Sequence, residues 1–131
     1  MVFSNTNLTM NILIIEKNKT FLNLLQRGIE THRAGYQIHT AESVDQAQAV
    51  LERVAPGLTF IAHSLVPDTD ERMALIAKIM GRDPNAFICL MSANGRQEPE
   101  RFGVDEFIDK DNCPMATVYN VLEAAAAKAR S

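Results

Sequence analysis

Met10-Asn11-Ile12-Leu13-Ile14-Ile15 is a short, nearly continuous apolar run rich in β-branched residues. Such a run suits a strand buried on both faces, which means the interior of a parallel sheet. Glu16, Lys17 and Asn18 follow it, and Asn18 or Thr20 can cap a helix whose apolar residues are Phe21, Leu22, Leu24, Leu25 and Ile29. Gly35 closes that connection, and Tyr36 to Thr40 alternates as a second strand. Ser43 and Gln46 form a capping box for a helix lined by Ala47, Val50, Leu51 and Val54, which stops before Pro56-Gly57.

The alternation continues downstream. Leu58 to Ala62 is a third strand. Asp68 to Asp70 can open a helix with Met73, Leu75, Ile76, Ile79 and Met80 on its apolar face, ended by Gly81. Ala86 to Met91 is a fourth strand and Val104 to Ile108 a shorter fifth. Asp111 or Asn112 can cap a last helix with Pro114 in its first turn and Val118, Val121, Leu122 and Ala125 as its inner stripe. Strand and helix thus repeat five times, and right-handed crossovers put helices on both faces of a five-stranded parallel sheet: an α/β, doubly wound fold. The stretch from Asn94 to Phe102 carries Gly and Pro and little periodicity. One helical turn or none is expected there, so the fourth helix of the pattern reads as shortened or absent.

With 131 residues, the chain has the length of one domain. Residues 10–131 read as that domain, and 1–9 as a flexible, polar lead-in. Hydrophobic residues make up 47% and charged residues 22%, enough for a sizeable core. A net charge of −3 without a basic stripe argues against nucleic acid or an anionic membrane as partner. No signal peptide and no membrane-spanning run are expected, and Cys89 and Cys113 lack a CxxC partner, so the cytoplasm is the expected compartment. His32, His39 and His63 have no metal-ligand spacing, no glycine-rich phosphate loop follows the first strand, and no nucleophilic triad stands out. Neither a cofactor nor a metal nor an enzymatic activity is expected.

In open parallel sheets, ligands collect beyond the carboxyl ends of the strands. Glu16 and Lys17 follow strand one, His63 strand three, Ser92 strand four and Lys110 strand five. These residues, with His63 to Asp70, Leu90 to Ala93 and Gly103 to Lys110, resemble the receiver domain of two-component response regulators (CheY-like) over about Asn11 to Ala127. The resemblance implies a flavodoxin-like sheet of order 2-1-3-4-5. It also implies an acidic pair at Glu16 and Lys17, a phosphoacceptor aspartate at His63, a hydroxyl at Ser92, a lysine at Lys110 and a switch aromatic at Phe107. The hydroxyl and the lysine are retained; the acceptor and half of the acidic pair are not.

Magnesium wants about six hard oxygens. The family's acidic cluster is here reduced to Glu16 among Lys17, Lys110 and His63, so no useful magnesium site is expected. An ammonium in the metal's place, Lys17 in particular, can pair with Glu16. His63 is open to three readings: a neutral packed ring, a pH-sensitive group, or a phosphoacceptor through nitrogen. The resulting expectation is a pseudo-receiver, a phosphorylation-independent protein-interaction module in signal transduction. Its partners would be signalling proteins such as a histidine kinase or an output protein, with room for a weak homodimer. Its partner surface is expected at Arg96, Glu98, Arg101 and Phe102. The alternatives are a switchable receiver phosphorylated at His63 or Asp68, and a small-anion sensor built on Lys17, His63 and Lys110.

Overall fold

The computed structural model describes residues 10–130 except 94 and 96. The expected lead-in at 1–9 and the partner-surface residue Arg96 lie outside the described residues. The elements run β1 (Asn11–Ile15), α1 (Lys19–His32), β2 (Gln37–Ala41), α2 (Val44–Leu51), β3 (Leu58–Ala62), α3 (Thr69–Arg82), β4 (Phe87–Ser92), β5 (Glu106–Asp109) and α4 (Met115–Ala129). All strand pairings are parallel and the sheet order is β2-β1-β3-β4-β5.

Strand periodicity of two explains why β1 is apolar from Ile12 to Ile15. Ile12 and Ile14 join Phe60, Cys89 and Ile108 in a core shared with α1 and α4, through Leu25, Ile29, Val118 and Leu122. Leu13 and Ile15 join Ile61, Leu90 and Phe107 in a second core shared with α2 and α3, through Val50, Leu51, Leu75 and Ile79. Each large aliphatic side chain buried there contributes roughly 1.5–3 kcal/mol relative to exposure. Helices α1 and α4 approach closely at Gly28, where a Cβ would stand 2.7 Å from Met115 Sδ and 3.0 Å from Val118 Cγ1.

The local signals act as their chemistry requires. Asn18 Oδ1 accepts from Phe21 N at 3.0 Å and starts α1. Ser43 Oγ accepts from Gln46 N at 3.1 Å, while Gln46 Oε1 accepts from Glu42 N at 2.8 Å. Three expectations need correction. As a count, the expectation of a shortened or absent fourth helix does not hold: four α-helices are present among the described residues, and the fourth in chain order, α4, is the expected last helix and runs 15 residues, favoured by its alanines and its buried stripe of Val118, Val121, Leu122 and Ala125. Asp111 and Asn112 do not cap it. Their N–H groups turn back onto the Asp109 side chain and carbonyl, so the helix begins only after Pro114. Met73 and Met80 are not on the buried face of α3: they are 44% and 36% exposed, and Arg72, Leu75, Ile76 and Ile79 are buried instead.

Between β4 and β5 the chain makes a 3-10 turn, Pro99–Phe102, closed by Gly103 at φ 67°. The turn is anchored by buried Pro99 and by Phe102, which packs against the second core. A glycine suits that left-handed position because it has no Cβ to clash. No described helix is long and apolar enough to cross a membrane.

Candidate functional site

The parallel register brings the ends of β1, β3, β4 and β5 to one edge of the sheet. Ile15 lies beside Ile61, Ala62 beside Met91 and Ser92 beside Asp109. Glu16, His63 and Lys110 are each the next residue beyond their strand.

Glu16 is 2% exposed. Its Oε2 accepts from the backbone N–H groups of Lys17 at 2.9 Å and Asn18 at 3.0 Å. Its Oε1 lies 2.7 Å from Lys110 Nζ, off the line of a directional hydrogen bond, so this contact is chiefly Coulombic. The Lys110 ammonium also sits 5.1 Å from the centre of the Phe21 ring, a cation–π contact that favours keeping it inside. Lys17 is exposed and reaches Glu16 through its backbone alone. The ammonium paired with Glu16 therefore belongs to Lys110, because the chain turns at Lys17 to enter α1. Lys17 instead adds its charge to a surface cluster in which the Lys19 hydrogen bond and charge hold the Glu42 carboxyl below its ordinary range.

His63 opens a short 3-10 turn, His63–Leu65, at the end of β3. Its ring meets the Phe102 ring edge-on at 6.1 Å and 74°, and Phe102 stacks on buried Phe107 at 5.7 Å. Arg72 lies over Phe102 at 5.5 Å and Arg101 at 5.9 Å. Arg72 is only 3% exposed and donates from Nη1 to Val66 O at 2.9 Å. The β3–α3 loop, α3 and the β4–β5 connection are thus tied through one arginine and one aromatic ring. The sequence reading missed Arg72; its signal was its place at helical spacing with Leu75, Ile76 and Ile79.

Ser92 ends β4 half-buried, and its carbonyl accepts from Lys110 N at 2.8 Å. Asp68, a candidate acceptor by sequence, is the N-cap of α3 and accepts from Glu71 N at 2.8 Å. Glu98 and Arg101 are exposed and Phe102 is half-buried. Among the described residues, no group of three or more His, Cys, Asp or Glu side chains is arranged to hold a metal ion. The residues at the strand ends do not fit magnesium either. Both oxygens of Glu16 are engaged by N–H donors and an ammonium, and His63 offers no hard oxygen.

Burial first, and the Arg72 charge second, hold the His63 imidazole below its ordinary value of 6.5. A depressed folded-state value means that the unfolded chain takes the proton more readily. The stabilisation is present above the unfolded value of about 6.5 and is lost as pH falls below it. The melting temperature of the wild type should therefore drop between about pH 7 and 5 more steeply than that of a His63→Gln variant. Parallel curves would remove His63 from the account.

No family model matches the chain, and no curated protein matches it. Solved structures do. A CheY-like receiver domain protein from Methanospirillum hungatei superposes with a TM-score of 0.72 at 20% identity, over 93% of this chain and 98% of that one. A two-component response regulator from Clostridium difficile gives 0.73 at 20% identity, over 94% and 100%. A response regulator from Burkholderia pseudomallei, solved with a phosphorylated aspartic acid, a calcium ion and citrate, gives 0.66 at 22% identity, over 92% and 74%. With its five parallel strands in the order β2-β1-β3-β4-β5 and these superpositions over more than nine-tenths of its length, the chain has the fold of response-regulator receiver domains.

Proposed function

We propose that this chain is a pseudo-receiver: a receiver-fold interaction module in signal transduction that works without accepting a phosphoryl group. The observation that carries this reading is the closed Glu16–Lys110 pair, with the second Glu16 oxygen held by two backbone N–H groups. A carboxylate so engaged, with an ammonium 2.7 Å from its other oxygen, is a poor ligand for a divalent cation, which that ammonium repels. At the end of β3 an imidazole stands instead of a carboxylate, and its environment disfavours added positive charge. The Burkholderia neighbour holds both a phosphorylated aspartic acid and a calcium ion; the corresponding chemistry has no support in this residue set. Asp68 is spent as a helix cap, which weakens the switchable alternative.

The module would act by displaying one fixed surface. The Phe107–Phe102–His63 stack, pinned by Arg72, supports a single arrangement of the β4–β5 connection. Glu98, Arg101 and Phe102 offer contacts on that connection, for a kinase, an output protein or another signalling domain of the cytoplasm. Incubation with acetyl phosphate and magnesium should leave the intact mass unchanged. Capture of partners from a native lysate should be the same with and without that treatment. A stable mass gain of one phosphoryl group would contradict the proposal.

A further inference from the structure

Beside this stack lies a groove of about 390 Å³ lined by Thr69, Arg72, Met73, Arg101, Phe102 and Gly103. Its lining holds two guanidinium groups and no carboxylate. Arg72 is only 3% exposed. Its Nη1 is used by Val66 O and Pro67 O, its buried Nε has no partner, and no carboxylate among the described residues forms an ion pair with it. A buried cation without a counter-charge is costly, and the Phe102 ring offsets only part of that cost. The groove also lies at the first turn of α3, whose N–H groups favour negative charge. Asp68 serves Glu71 N there rather than the guanidiniums. At the rim, Met73 is one of the few large apolar side chains left exposed.

We propose that this groove receives a carboxylate side chain from an acidic segment of a partner protein, with an adjoining apolar residue of that segment lying on Met73. This rests on the reading of the chain as an interaction module and gives its partner a chemistry. A carboxylate supplies the charge that Arg72 lacks, the exposed Arg101 guanidinium adds a second donor, and Phe102 forms a flat apolar wall. A free inorganic anion would satisfy the charge but leave Met73 uncovered.

Two amidated pentapeptides test this, one with a leucine flanked by glutamates and one with glutamines in their place. They are titrated at constant ionic strength into the isotopically labelled chain. The acidic peptide should produce saturable shifts at the amides of Thr69 and Gly103 and at the Nε–H signals of Arg72 and Arg101. Arg101→Glu, at an exposed site, should weaken it at least tenfold with the remaining spectrum unchanged, and Met73→Ser should weaken the peptide but not sulfate. Equal shifts from the glutamine peptide, or none from the acidic one, would overturn the proposal. So would equal affinity for sulfate, which would indicate an adventitious ion only. If Arg101→Glu still captures every lysate partner while the acidic peptide fails, the groove falls and the module reading stands. If phosphorylation by acetyl phosphate occurs while the acidic peptide binds as described, the module reading falls and the groove stands.

Discussion

Replacing Lys110 by methionine is expected to lower the free energy of unfolding by about 3–4 kcal/mol, as breaking a buried ion pair from one side does. Methionine keeps an apolar stem near Phe21, so packing changes little, but it leaves the Glu16 carboxylate buried beside no cation. The two backbone N–H groups on Oε2 remain and limit the loss. Lys110 has a side-chain exposure of 17%, so solvent screens the pair only in part. Adding Glu16→Gln to Lys110→Met should recover a large share, because the amide needs no counter-ion and can still accept from the same N–H groups. Urea unfolding of the single and double variants measures this, with an unchanged m-value as the check on two-state behaviour. A loss below about 1 kcal/mol for Lys110→Met would mean that the pair behaves as a surface salt bridge.

Arg72→Leu should cost about 2 kcal/mol, a balance of two opposed effects. Leucine completes the apolar face of α3 beside Leu75, Ile76 and Ile79 and removes a buried charge with an unpartnered Nε. That gain is real, since apolar replacement of buried charges is sometimes neutral or favourable. Against it stand the charge-assisted bond to Val66 O at 2.9 Å, worth roughly 1.5–3 kcal/mol, and the contact with Phe102 at 5.5 Å. Val66, the buried residue of the β3–α3 loop, would also lose the donor to its carbonyl. The decisive readout is separate from stability. Removing a neighbouring cation should raise the His63 titration midpoint, while burial continues to depress it. An unmoved midpoint in the titration followed by magnetic resonance would show that Arg72 does not act on His63.

Much of the fold was legible because the signals are local or strictly periodic. The apolar run at Ile12 to Ile15 requires cover on both faces, and the alternate residues do divide between two cores. Asn18 and Ser43 announce their helices through side-chain acceptors. The start of α4 was misread because Asp111 and Asn112 look like caps but are consumed by a turn onto Asp109, which no helical pattern reveals. On α3 the eye follows methionine as a core residue, yet Met73 and Met80 fall on the solvent side and an arginine takes a core position. The strand ends identified Glu16, His63, Ser92 and Lys110 as candidates. Which lysine pairs with Glu16 depends on how the chain leaves β1, and that is a property of the turn rather than of the sequence spacing. Arg72 and its contact with Phe102 were hidden for the same reason: that contact joins segments that only the folded sheet brings together.

The most direct test of the central claim is a magnesium titration with a beryllofluoride-type phosphoryl mimic, followed at the amides of Glu16, Lys17, Asn18, His63 and Lys110. With the carboxylate of Glu16 already engaged, millimolar magnesium should produce no saturable local shift, and the mimic should add none. Saturable shifts of those amides, dependent on both magnesium and the mimic, would contradict it.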